Sequence, residues 1–395
     1  MNTVYVLGAG FNRAAYHAYR EGLQPPLDAD FFRILLTQSD FERHLKNDAR
    51  ALRLMRYIDR YWRIDSISDP ASTPGLEAVY SLIDLQRREC AALGQVETAN
   101  ELDSLFTVLT NLLAHMLAAF EGRLTPQSNS ELQSFARLAL SERAEIITFN
   151  YDTLLEWAME EASGWSEPVP SNLTSDPLCD QSLAFSTKVW NRNLAYGFEF
   201  DTVEVRGNAV PGSVYYHVAG NEVYTNRILK LHGSLGWYYG PDGLLLGDAK
   251  VLPSPMLPSL PALLTPVVLK PFYEEPFRHI WLQARDVLTR ANTLILVGYS
   301  FPPTDFHVQK LFREAFVDRQ PDVTVVVNPD ERAATIVNTL VAPASVETHE
   351  SLRSLLTERG VRFRQVVLEN GDTDIAADGV PAVHPDDFYR SPLST

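Results

Sequence analysis

Cysteine is nearly absent. Cys90 and Cys179 are the two in 395 residues, and no C-x-x-C pair occurs. That excludes a thiolate zinc ribbon and a disulfide scaffold. Two distant cysteines fit a reducing compartment, so a cytoplasmic protein is the expectation. Positive charge is scarce as well: 34 Lys and Arg face 50 Asp and Glu, a formal net charge of −16. This balance argues against direct nucleic-acid binding over a broad face. No uninterrupted apolar run reaches the roughly 18 to 20 residues of a membrane span. The start, Met1-Asn2-Thr3-Val4-Tyr5-Val6, has no basic stretch before its apolar residues. Neither a membrane nor a secretion signal is therefore expected. His-Glu-x-x-His is missing too, since His349-Glu350 lacks a second histidine at that spacing.

What remains is an ordinary globular composition, 45% hydrophobic and 21% charged, able to bury a large core. Thr3 to Leu7 is a short β-branched and aromatic run broken by Gly8-Ala9-Gly10, with a helical pattern from Phe11. From 30 to 142 the apolar spacing is helical. Leu102, Leu105, Phe106, Leu109, Leu112, Leu113 and Met116 form one such series. This stretch reads as a helical insertion or subdomain. Strand character returns at Ala144 to Phe149, followed by Asn150-Tyr151-Asp152 and a helix.

Residues 160–226 read as an irregular insertion with small strands, such as Thr202 to Val205 and Val214 to Tyr216. Ile228 to Leu231 is a strand ending at His232-Gly233-Ser234. Pro241 to Pro271 is a proline-rich loop. Strands at Thr293 to Val297 and Val323 to Val327 end in Gly298-Tyr299-Ser300 and Asn328-Pro329-Asp330, with helices at 274–290, 305–316 and after 330. The tail, 380–395, is polar and reads as loose.

The alternation predicts an α/β fold: a Rossmann-like, mostly parallel sheet with helices on both faces, plus the helical insertion. One elaborated domain over 1–395 accommodates it. In such sheets ligands bind beyond the carboxyl ends of the strands, and every turn motif above lies at such an end.

Each motif has its chemistry and a plainer reading. Gly8-Ala9-Gly10 lets backbone approach a pyrophosphate, but the third fingerprint position is Arg13, so a structural turn competes evenly. Asn150 can orient a sugar hydroxyl or a water. Asp152 can act beside it or cap the next helix. His232 after a strand suits a general base. Gly298, Ser300 and Asn328 offer ribose and phosphate contacts, although such residues often serve turns alone. Position 302 is Pro, which breaks a G-x-S-x-G elbow and argues against a serine hydrolase. Asp28 and Asp30, near Pro25-Pro26, read as helix caps before they read as cation ligands.

The ordered set Gly-Ala-Gly, Phe-Asn-Tyr-Asp, Leu-His-Gly-Ser, Gly-Tyr-Ser and Asn resembles the sirtuin-like NAD-consuming family, most closely its bacterial anti-phage branch. The likeness covers roughly 1–30, 144–157, 227–236 and 264–330. It implies a nicotinamide–ribose cleavage site with NAD+ as substrate. Gly8, Ala9, Gly10, Phe11 and Asn12 would form the first NAD+ loop. Asn12 stands where many relatives have Ser. Asn150 would position the ribose and the attacking water, with Asp152 following it in the motif. His232 would take a proton from a ribose hydroxyl. Gly298, Ser300 and Asn328 would meet phosphate and adenosine ribose. The family's Asp-Phe after a proline is matched only loosely by Asp30-Phe31.

Protein-deacylating sirtuins carry a four-cysteine zinc module, yet 235–297 has no cysteine. No zinc is expected, and hydrolysis of free NAD+ to nicotinamide and ADP-ribose is favoured over deacylation or ADP-ribosyl transfer. The resemblance also implies a gated effector: a homo-oligomer, with a hexameric DNA-translocating ATPase as one partner. A non-turnover NAD or ADP-ribose sensor would not need Asn150 and His232 together. A dehydrogenase would need the full glycine fingerprint.

Overall fold

The computed structural model describes residues 2–15, 25–37, 48–121, 130–163, 190, 195–198, 202–205, 208–211, 223–224, 226–239, 243–247, 261–302, 305–367, 373–380 and 389–390. The chain divides into two compact units. One comprises 1–24, 123–262 and 272–395, the other 25–122 and 263–271.

The first unit is built on a six-stranded parallel sheet flanked by helices. Its strands, numbered in chain order within this sheet, are β1 (Thr3–Leu7), β2 (Glu145–Thr148), β3 (Ile228–Lys230), β4 (Thr293–Val297), β5 (Val323–Val327) and β6 (Val346–His349). Across the sheet they run β3-β2-β1-β4-β5-β6, every pair parallel. This is the doubly wound Rossmann order, with its switch point between β1 and β4. Strands β1 to β5 are buried along most or all of their length, so they read as continuous apolar runs. β6 has one neighbour and is largely exposed; its Val-Glu-Thr-His carries no apolar signature.

A second sheet in this unit orders 208–211, 202–205, 244–246, 233–239 and 261–263. Two expectations change here. The chain does not stop at Ser234 but runs directly into the strand Gly233–Tyr239. The stretch 241–271, read as a loop, contains the strands Leu244–Leu246 and Pro261–Leu263. The Leu-Leu-Leu run pairs with Trp237 to Tyr239 and buries two of its three residues. The expected strand 214–216 lies outside the described residues. Within the tail, Tyr389–Arg390 pairs with Val223–Tyr224; a hairpin, Arg362–Val367 with Thr373–Asp378, precedes it.

The second unit is helical and holds most of the stretch expected over 30–142. The helix Ser130–Ser141 belongs to the first unit instead. The long helix Val96–Glu121 buries Leu102, Leu109, Leu113, Met116 and Phe120. It packs on Leu76–Ala92 and Ala49–Trp62. By length and composition it is apolar enough to cross a membrane; a count of uninterrupted apolar runs passes over it. The Tyr80 hydroxyl donates to Thr110 Oγ1 at 3.1 Å within this core. Asp28 accepts the Glu77 backbone N–H at 2.7 Å and Asp30 that of Leu27 at 2.7 Å. Both acidic side chains thus satisfy backbone donors, Asp28 at the start of Leu76–Ala92.

Candidate functional site at the sheet switch point

The turns after β1 and β4 are bonded to each other. Gly8 N–H donates to Val297 O and Gly10 N–H to Gly298 O, each at 3.0 Å. Gly298 has φ +64°, a left-handed conformation that suits glycine. A Cβ there would lie 2.3 Å from Gly10 C and Phe11 N. A Cβ on Gly8 or Gly10 would come within 2.9 Å of Gly298 backbone atoms. The three glycines are therefore required by the packing of two turns, whatever binds above them. Ala9 and Ser300 stay exposed, and Gly10 is half-buried. Phe11 is buried, its ring edge-on to Phe135 at 4.9 Å.

Above the turns lies a polar cluster. Asn12, on the helix Ala9–Ala15, donates through Nδ2 to the Asp152 carboxylate. Its Oδ1 accepts from Asn150 Nδ2 at 3.1 Å. Asn150 Nδ2 also donates to Gly8 O at 3.1 Å, and the Asn150 N–H is held by Thr148 Oγ1 at 3.1 Å. Both amide hydrogens of Asn150 are thus committed inward, which leaves Oδ1 as the acceptor for a ligand. Asp152 Oδ1 accepts Leu154 N–H at 3.3 Å from one position before Thr153, which is the N-cap of the helix Leu154–Ala162.

His232 sits one strand further, on the turn after β3. Its ring lies 5.1 Å from that of Phe149 and 6.0 Å from that of Tyr151. Phe149 stacks on Tyr299 at 4.3 Å, and the Tyr299 hydroxyl donates to Asp305 at 2.6 Å. Asn328 Nδ2 donates to Tyr299 O at 3.3 Å, and its Oδ1 accepts Asp330 N–H at 2.9 Å.

The structure thus joins Gly8, Gly10, Asn12, Asn150, Asp152 and Gly298 directly. It brings His232 in through Phe149 and Tyr151, and Asn328 through the Tyr299 carbonyl. Ser300 shares in none of the described hydrogen bonds. Sequence reasoning missed Lys230, Glu156 and Tyr299. A lysine inside the apolar run Ile228-Leu229-Lys230-Leu231 was the available signal, because a buried lysine is rare unless paired. Among the described residues no group of three or more His, Cys, Asp or Glu is placed to hold a metal ion.

Burial pushes the Asp152 carboxyl above the ordinary carboxylate range; the Lys230 ammonium pulls it down and Glu156 pushes it further up. A raised folded value means that the folded state favours the protonated carboxyl. That contribution to stability is complete below about pH 4 and is lost as pH rises through the raised value. Asp152→Asn removes the titration and keeps an acceptor for Leu154. Urea unfolding at stepped pH is expected to show wild type losing stability relative to Asp152→Asn above about pH 4. Parallel curves would contradict the raised value.

No family model and no curated protein matches the chain.

Proposed function

We propose that the chain is an NAD+ glycohydrolase that cleaves the nicotinamide–ribose bond to give nicotinamide and ADP-ribose. One observation carries the reading. Asn12, Asn150 and Asp152 form a buried hydrogen-bonded cluster at the carboxyl ends of β1 and β2, beside the switch point where doubly wound sheets bind their ligands. His232 stands at the end of the adjoining strand. The motif order that resembles the sirtuin-like family supports the substrate. The role of a gated, NAD+-depleting effector of anti-phage defence, in an oligomer and with an ATPase partner, follows from that resemblance.

In this reading water replaces nicotinamide on the ribose. The C–N bond breaks with its electrons leaving on nicotinamide, a C–O bond forms, and one proton is released. Positive charge develops on the sugar meanwhile. Fixed dipoles in a site that excludes water lower that barrier. Asn150 Oδ1 accepts from the ribose or from the attacking water. His232 takes a proton from a sugar hydroxyl as charge develops and returns it once water has added, so that the one proton released is the water's. Asn12 and Asp152 hold the Asn150 amide in place.

The test is incubation of the purified chain with NAD+, chromatography of the products and calorimetry of binding. Conversion to nicotinamide and ADP-ribose is the expected result. Binding without conversion would replace the enzyme by a sensor, and no binding would sink the NAD+ reading altogether.

A further inference from the structure

Lys230 and Glu156 lie beneath the polar cluster, each side chain 1% exposed, with Nζ 2.8 Å from Oε1. The same ammonium donates to the backbone carbonyl of Asp152. The Tyr196 hydroxyl donates to Glu156 Oε1 at 3.0 Å. Lys230 is paired with Thr148 in the sheet, and His232 follows it by two residues. One side chain therefore ties the turn after β2, which carries Asn150 and Asp152, to the strand end that carries His232. Two backbone bonds span the same gap: Leu231 N–H to Thr148 O at 3.0 Å and Leu235 N–H to Tyr151 O at 2.8 Å.

Stability alone is a poor reason for such a pair. Taking two charges out of water costs much of what their attraction returns. Well-packed apolar residues of similar volume often serve the fold as well or better. What apolar residues cannot supply is a directed bond to the Asp152 carbonyl. That bond fixes the height of the Asn150 turn against β3.

We propose that Lys230 and Glu156 are positioning residues that hold the Asn150–Asp152 turn in register with His232. The catalytic consequence rests on the NAD+ hydrolase reading; the mechanical claim does not. Neither residue touches the substrate. They act through the two turns.

The experiment compares full-length wild type with Lys230→Met/Glu156→Leu, a double variant that leaves no buried charge unpaired. Amide hydrogen exchange is read at Leu154 and Leu235, with β4 as the internal reference. NAD+ kinetics are measured on the same samples. In the folded double variant, exchange at Leu154 and Leu235 is expected to accelerate about tenfold or more while β4 is unchanged. The value of kcat is expected to fall about 100-fold, with KM within about threefold. Unchanged exchange at both amides overturns the proposal. If wild type does not cleave NAD+, the hydrolase reading fails and exchange still decides the positioning role. Should the double variant not fold, Lys230→Gln/Glu156→Gln decides, since it keeps a buried polar pair and withdraws the ammonium from the Asp152 carbonyl. Faster exchange confined to Leu154 and Leu235 supports the proposal; none overturns it.

Discussion

If the chain hydrolyses NAD+ as proposed, His232→Ala is expected to lower turnover by about 100- to 10,000-fold and to leave the fold intact, the range for removal of a general base. The residue is 8% exposed and lies on a turn, its ring 5.1 Å from that of Phe149 and 6.0 Å from that of Tyr151. Its removal takes no backbone bond from the sheet ladder. Asn150→Ala should reduce turnover to a similar degree with a larger cost in stability. It deletes the bonds to Gly8 O and Asn12 Oδ1, each worth about 1 kcal/mol net, and leaves Asn12 with an unmet acceptor. The measurement is turnover at saturating NAD+ beside urea unfolding of each variant. A His232→Ala protein with wild-type kcat would remove the histidine from the mechanism and the mechanism from the proposal.

Gly298→Ala has the largest expected effect on stability, a loss of about 3 to 5 kcal/mol, because clash and backbone strain coincide there. The left-handed conformation alone costs an L-residue about 1 to 2 kcal/mol. The added methyl group must also displace Gly10 C and Phe11 N, which lie 2.3 Å from where it would stand. Those atoms belong to backbone bonded at both turns, so they cannot swing aside as a flexible side chain does. Gly360→Ala separates the two causes. Its φ is +94° and nothing lies within 4 Å of the added carbon, so strain without clash should cost about 1 to 2 kcal/mol. Urea unfolding of both variants checks this. Equal losses at 298 and 360 would show that the turns can part without penalty.

The sheet was legible in the sequence where physics leaves one option. β1, β4 and β5 are parallel strands buried on both faces, so their apolar runs coincide with their limits. The glycine turns at two of those ends were legible as well; that their strands are neighbours at the switch point was not. β6 escaped because an edge strand with exposed residues needs no apolar code. Gly233–Tyr239 escaped because its first residues were read as a turn motif, although they also pair in a second sheet. At the candidate site, Asn150, Asp152 and His232 were singled out through residue type, position at strand ends and the motif resemblance. Their mutual bonds were not readable, since Asn12 meets Asp152 across 140 residues of chain. Lys230 and Glu156 were missed for a related reason. Lys230 stands out inside its apolar run, but Glu156, 74 positions away (230 − 156), carries no such signal, so their pairing was not readable.

The placement of β1 has a consequence for synthesis. This strand is made before both of its neighbours, Glu145–Thr148 and Thr293–Val297. Thr3 pairs with Thr293, 290 residues later. At about 5 to 20 residues per second, translation takes roughly 15 to 60 seconds to deliver that partner. Through this interval an apolar, β-prone segment has one edge with nothing to bind. The nascent chain is therefore most exposed to misassociation before Val297 is made. Chaperone demand should fall once β4 emerges and closes the middle of the sheet.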